Sequence, residues 1–299
     1  MAELARPKSV AFIGLGMMGL PMATRLVQAG YQVTGFDLSA DQRAAFERVG
    51  GMTAASVSGA TDGQTVVITM LPNEKIVRDA MLGAGDGART MKTGGIVVDM
   101  SSSAPAGTVS LSKDLAELGI SLIDAPVSGG VKKAVAGTLA IMIGGEEPVI
   151  EHVRPVLACL GQSLFVAGGV GAGHAVKSLN NFVSAAGLTA MCEALAIGQR
   201  FGIAPDAIID ILNASTGRNN STENKAKPFI LSGTFDAGFA MNLMAKDIGI
   251  AAQLASDMGM ELPSISMTRD YWANASEALG KNADHTEIYR YITEKLSAE

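Results

Sequence analysis

The chain has 299 residues, 48% hydrophobic and 17% charged, with a formal net charge of -6. That length supports two domains with proper cores, and the acidic balance argues against a nucleic-acid partner, because no basic stripe is available to neutralise phosphates. Cys159 and Cys192 are too few for a disulfide framework and read as core thiols of a reducing compartment. His152, His174 and His285 are scattered without ligand spacing, so no metal is expected. Residues 1–8 are polar and no apolar run reaches membrane length, so the expectation is a cytoplasmic protein with no membrane partner.

Residues 10–13 form a strand-like apolar run that breaks into Gly14-Leu15-Gly16-Met17-Met18-Gly19, and a helical run over 20–29 follows. In a G-x-G-x-x-G turn the first glycine makes the bend, the second admits a pyrophosphate and the third lets helix and strand pack closely. By itself the pattern is equally a surface turn. Its context is a second strand, 31–36, ending in Asp37, 18 residues after Gly19. Asp37 reads either as a solvated strand end or as the carboxylate that accepts the ribose hydroxyls. An acid there repels a 2′-phosphate, and Leu38, Ser39 and Ala40 supply no arginine, so NAD is expected rather than NADP.

Short β-type runs then alternate with helical ones: a helix over 41–49, a strand over 65–70, a helix over 74–82, a strand over 95–99, a helix over 105–118 and a strand over 121–124. A further pair, 139–143 and 163–166, flanks a helix over 148–160. This is the pattern of an α/β domain with a Rossmann-type, doubly wound parallel sheet. Polar and glycine residues gather at strand C-terminal ends, where open sheets bind ligands. The loops at Leu71, Ser102 and Ser128 are therefore expected to line one crevice with the first glycine loop.

After Gly168-Gly169 the pattern turns helical. Residues 173–200 are apolar nearly all round, which predicts burial between domains or against a partner chain. Helices follow over 205–212, 224–231, 242–258, 263–279 and 286–296, so domains of 1–167 and 168–299 are expected, the second all-α and opening with a long interdomain helix. Lys177, Asn180 and Asn181 share one face of that helix. Either this face reaches solvent or pairs with a carboxylate, or Lys177 faces the crevice and gives a proton to a carbonyl oxygen as hydride arrives.

Taken together, Gly14-Leu15-Gly16-Met17-Met18-Gly19, Asp124-Ala-Pro-Val-Ser128-Gly129-Gly130, Gly171-Ala-Gly173-His-Ala-Val-Lys177-Ser-Leu-Asn180-Asn181 and Lys246-Asp247 resemble the β-hydroxyacid dehydrogenase family over essentially the whole chain. The resemblance implies that Lys177 is the acid/base and that Asn181 holds substrate or positions the lysine. It also implies that Ser128, Gly129 and Gly130 bind a substrate carboxylate. Leu71, Pro72, Ser102 and Lys246 would touch the cofactor alongside the glycine loop. Ile76 stands where some members have asparagine, so that cofactor contact is either missing or supplied by Asn73.

The implied activity is NAD-dependent interconversion of a small 3-hydroxy acid and its semialdehyde. Alternatives are a reductase of another aldehyde, sulfonate or imine in the same superfamily, and a non-catalytic dinucleotide-binding scaffold. Arg218, in a polar run with Asn219, Asn220, Ser221 and Thr222, either meets a second anionic or hydroxylated group on the substrate or is a solvated loop arginine. The apolar long helix points to a homodimer or homotetramer.

Overall fold

The computed structural model describes residues 7–280 and 282–298; residues 1–6, part of the polar start, lie outside that range. Packing divides the chain into two compact units, one running to Lys177 and one from Ser178. The expected boundary near 167 coincides with the end of the last strand, and the packing division lies further on, inside a helix.

In the first unit the order is β1 (Ser9–Ile13), α1 (Gly19–Gln28), β2 (Gln32–Phe36), α2 (Ala40–Arg48), β3 (Met52–Thr53), α3 (Val57–Thr61), β4 (Val66–Thr69), α4 (Glu74–Leu82), α5 (Gly87–Thr90), β5 (Ile96–Asp99), α6 (Pro105–Ala116) and β6 (Ser121–Asp124). Then come β7 (Val127–Ser128), α7 (Gly130–Ala136), β8 (Leu139–Gly144), α8 (Glu147–Ala158) and β9 (Gly161–Gly168). Among the described residues all nine strands join one sheet in the order β3-β2-β1-β4-β5-β6-β8-β7, with β9 on β8.

Because crossover helices cover both faces, the central strands are apolar throughout rather than alternating. Val10, Phe12, Ile68 and Val98 point to one face, against Met22 and Leu26 of α1, Phe46 of α2 and Val153 and Leu157 of α8. Ala11, Ile13, Val67 and Val97 point to the other, against Val77 and Met81 of α4 and Leu111 and Leu115 of α6. Each Val, Leu, Ile, Phe or Met among them contributes about 1.5–3 kcal/mol by leaving water. From β1 the chain builds outward through β2 and β3, then returns to β4 on the other side. That reversal puts the ligand crevice of a doubly wound sheet at the carboxyl ends of β1 and β4.

The expected parallel sheet is present with one departure: β8 runs antiparallel to both β6 and β7. The seven-residue α7 is too short to carry the chain back across the sheet as a crossover. Residues 124–128 instead run on alongside β8 in constant register, with Asp124 opposite Gly144, Val127 opposite Ile141 and Ser128 opposite Ala140.

The second unit is all-helical in the described residues. It holds most of α9 (Ala172–Phe201), then α10 (Pro205–Ala214), α11 (Asn220–Asn224), a π-helix (Ala226–Leu231), α12 (Met241–Asp257), α13 (Pro263–Leu279), a 3-10 turn (His285–Glu287) and α14 (Ile288–Ala298). Leu188, Met191, Cys192 and Leu195 of α9 pack with Ile209, Ile248, Trp272 and Ile288, and the Trp272 indole N–H donates to Thr189 Oγ1 at 2.9 Å. By length and composition alone α9 is long and apolar enough to cross a membrane, and these residues of it pack in the core of the second unit. The burial expected all round is not met within the chain itself: Val183, Ile197 and Phe201 are 67%, 71% and 84% exposed. Small residues on the same side, Ala186, Gly187 and Ala190, make the helix apolar there without giving it much to bury.

Lys225 lies between α11 and the π-helix with its amine turned inward, 3.5 Å from Ser184 Oγ. Burial pulls its pKa from the ordinary 10.5 to about 8, against the opposing pull of Asp284 and Cys192. The unfolded chain therefore holds this proton more tightly than the folded one. Stability should rise with pH between about 8 and 10.5 on this account. In urea unfolding followed by circular dichroism, Lys225→Met should be more stable than the wild type at pH 7 by about 1–3 kcal/mol. That advantage should shrink as the pH approaches 10, and a gap independent of pH would contradict the assignment.

Candidate active site

At the end of β1 the chain bends at Gly14, whose φ is +99°. A β-carbon on Gly14 would lie 2.3 Å from Met70 O, and one on Gly19 only 1.8 Å from Gly14 O, so both positions require glycine. A β-carbon on Gly16 meets nothing within 4 Å among the described residues. The middle glycine thus borders open space, as a pyrophosphate cradle must. Helix α1, which follows, has neither a side-chain cap nor an acidic first turn among the described residues, leaving its N-terminal dipole for an anion. Leu15 is buried beneath the loop and Met17 exposed above it.

Asp37, just past β2, is tied into this loop. Its Oδ2 accepts the Leu15 N–H and its Oδ1 the Ser39 N–H, both at 2.8 Å. A carboxylate keeps further lone pairs for ribose hydroxyls. Arg43 of α2 donates to Asp37 O at 2.6 Å and Leu38 O at 3.2 Å. Sequence reasoning missed this guanidinium, which is placed by the first turns of α2 rather than by the residues next to Asp37. The glycine loop, Asp37 and the open space at Gly16 fit a dinucleotide.

The other strand ends are knotted by buried polar groups. The Leu71 N–H donates to Ser101 Oγ at 2.9 Å. Asn73 Oδ1 accepts the N–H groups of Lys75 and Ile76, capping α4, so this oxygen already has a structural task. Asp99, at the end of β5, accepts from Thr69 Oγ1, the Ser101 N–H and Ser103 Oγ at 2.9–3.0 Å, which fixes the turn carrying Ser102. Asp124, its register partner at the end of β6, accepts the Gly171 N–H at 2.6 Å and the His174 N–H at 2.7 Å. Burial pushes the Asp124 carboxyl's pKa upward, and the His174 ring and these two N–H donors oppose that shift. The His174 ring lies between Thr108 Oγ1 at 2.8 Å and Ser101 O at 3.1 Å. Because a carbonyl only accepts, His174 Nε2 carries the proton.

Ser128 ends β7, and Gly129 and Gly130 follow with φ of +133° and +66°. Two successive left-handed glycines can turn their N–H groups outward, as an anion site requires, and a β-carbon on Gly130 would meet nothing within 4 Å among the described residues. Lys177 is 9% exposed and sits one helical turn beyond His174 on α9.

In the second unit Asn181 is buried, and its Nδ2 donates to Asp247 Oδ2 at 2.6 Å. Its Oδ1 accepts from Asn180 at 3.2 Å. Lys246 Nζ lies 3.5 Å from Asp247 Oδ1, so the lysine, the aspartate and the asparagine form one chain of contacts. Arg218 is 63% exposed and 3.6 Å from Glu223. Its polar neighbours have another explanation than substrate: Asn219 and Thr222 form a capping box that starts α11.

Two family models match this chain. Residues 9–169 match the NAD-binding domain of 6-phosphogluconate dehydrogenase, and residues 171–292 match the model described as NAD-binding of NADP-dependent 3-hydroxyisobutyrate dehydrogenase. The chain belongs to the β-hydroxyacid dehydrogenase family. It is 39% identical to 2-(hydroxymethyl)glutarate dehydrogenase of Eubacterium barkeri over 91% of each chain. It is 32% identical to 3-sulfolactaldehyde reductase of Escherichia coli over 95% of each. Among solved structures, Mycobacterium tuberculosis 3-hydroxyisobutyrate dehydrogenase with L-serine superposes with a TM-score of 0.89 at 30% identity, covering 96% of this chain and 99% of that one. The protein is thus an NAD(P)-dependent oxidoreductase interconverting a hydroxy acid and its semialdehyde.

If Asp37 reads the ribose, Asp37→Ala should loosen NADH by about tenfold, the scale of a charge-assisted hydrogen bond, while leaving NADPH unchanged or tighter. Fluorescence titration of both nucleotides decides it; equal loosening would mean that Asp37 only shapes the glycine loop.

Proposed function

We propose that this enzyme oxidises a 3-hydroxy acid bearing a second anionic group, with NAD as its cofactor and Lys177 as acid/base. The observation that carries the catalytic part is a lysine buried on a helix whose first turn is hydrogen-bonded to the carboxyl end of the sheet. A buried lysine without a task is rare. The bound nicotinamide supplies the hydride acceptor in oxidation and the donor in reduction.

In oxidation Lys177 Nζ takes the hydroxyl proton; in reduction it returns that proton to the carbonyl oxygen. In its protonated form the same amine stabilises developing alkoxide charge, a role that calls for no metal. Ser128 Oγ and the N–H groups of Gly129 and Gly130 hold the carboxylate next to the reacting carbon. Asn181, its amide held by Asp247, binds the substrate or orients the lysine, and Lys246 meets the cofactor.

The second anionic group is supported by a relative of this chain that is named for a substituted glutarate, a dicarboxylate. We assign that group to Arg218, whose guanidinium is mostly exposed and only loosely paired, so its fork is open to a carboxylate or sulfonate. The exposed apolar side of α9 is assigned to a second copy of the chain.

Three measurements test this reading. Lys177→Ala should lower kcat by at least about a hundredfold, within the range of general acid–base contributions, with NADH affinity kept; an alanine variant with normal kcat would remove the lysine's role. Arg218→Ala should raise KM about tenfold for 2-(hydroxymethyl)glutarate and leave 3-hydroxyisobutyrate unaffected, on the scale of one charge-assisted contact. Equal KM changes for the two substrates would return Arg218 to the solvated loop. Light scattering should give a multiple of the 30.7 kDa chain mass, and Phe201→Glu should shift it toward the monomer.

A further inference from the structure

Strand β6 ends in a fully buried carboxylate, Asp124, at 0% exposure. An ionised carboxylate deep in a protein persists only where donors surround it. The two backbone donors at Asp124 come from the start of α9. Gly171 precedes the helix and His174 is its third residue, and these are the two donor positions that a local capping box satisfies. Here a single carboxylate from the sheet serves both.

The helix start is also pressed onto the sheet. A β-carbon on Gly173 would lie 2.4 Å from Met142 O and 2.9 Å from Asp124 Oδ2, and one on Gly144 would lie 2.5 Å from Asp124 Oδ1. The glycines therefore bring the backbone down to the carboxylate, and the carboxylate fixes its height. Lys177 follows His174 by three residues, about 4.5 Å along a helix, so a shift of the first turn moves the lysine with it.

We infer that Asp124 is the positioning residue for Lys177, acting through the N-terminus of α9. The His174 ring extends the same device. Its Nδ1 lies 3.8 Å from Asp124 Oδ2, its Nε2 3.8 Å from Asp99 Oδ2, and its hydrogen bond to Ser101 O ties the lysine's helix to the turn carrying Ser102. This inference rests on the acid/base reading of Lys177.

The test is Asp124→Asn in the full-length enzyme, with NAD and a hydroxy acid that the wild type oxidises. Asparagine keeps the shape but sets an N–H₂ group against a backbone N–H. A misplacement of about 1 Å at a reacting group costs up to about a hundredfold, so kcat should fall by about ten- to a hundredfold, with KM and NADH affinity within about twofold. In a Lys177→Ala background the same change should cost little more, because the lysine it acts through is gone. Unchanged kcat, a risen KM with kcat kept, or equal losses in both backgrounds would overturn the inference.

If Lys177→Ala itself keeps kcat, the acid/base reading fails and takes the inference with it. If Lys177→Ala loses kcat and Asp124→Asn does not, the inference alone fails. Should Asp124→Asn not fold, hydrogen exchange on the wild type decides: the Gly171 and His174 amides should exchange as slowly as the interior of α9, and fast exchange would overturn the claim.

Discussion

Two carboxylates ending adjacent parallel strands inside a protein set the terms for much of the first unit. Asp99 and Asp124 are register partners, each with 1% exposure or less, and buried polar groups need hydrogen-bond donors brought to them. The chain answers locally at Asp99, with the turn that follows and a threonine from β4. It answers at long range at Asp124, with a helix start 47 and 50 residues further along. The loops around the carboxyl ends of β4, β5 and β6 are therefore held by polar bonds beneath them, which leaves their outer surfaces for ligands.

That arrangement separates two tasks. Cofactor recognition is a matter of backbone shape: two glycines that nothing else can replace, one that faces open space, and an aspartate already bound to the loop it serves. On the proposed reading of Lys177, catalysis is a matter of placing one amine. Loops position poorly, whereas a long helix clamped at its first turn carries a side chain rigidly. The glycines of the Gly171–Gly173 stretch are thus constraints of the clamp, just as Gly14 and Gly19 are constraints of the cofactor turn.

The glycine loop, Asp37, the alternation of strands and helices and the helical second half were legible because each rests on a local pattern: a φ that only glycine adopts, or an apolar period. The ends of α4 and β6 fell where the sequence placed them. What the sequence withheld depends on contacts between distant residues. Asp124 was visible only as part of a motif and His174 only as a stray histidine, since nothing local says that they meet. The antiparallel β8 follows from an α7 too short to cross the sheet, and that seven-residue helix carries no strong period. Arg43 escaped because α2 folds it back across the end of β2.

The polar run after Arg218 shows how composition can overstate chemistry. Asn219, Ser221 and Thr222 look like a hydrogen-bonding surface for substrate, yet they begin a helix: Asn219 Oδ1 accepts from Ser221 and Thr222, and Thr222 Oγ1 accepts the Asn219 N–H. With Ser221 and Thr222 buried and Asn219 packed beside Gly187 of α9, the run is a fixed frame. Arg218 is the residue on that frame with a charge to offer, and its partner Glu223 holds it too loosely to neutralise it. On the proposed reading of Arg218, substrate choice can change by substitution at position 218 without disturbing the helix that follows.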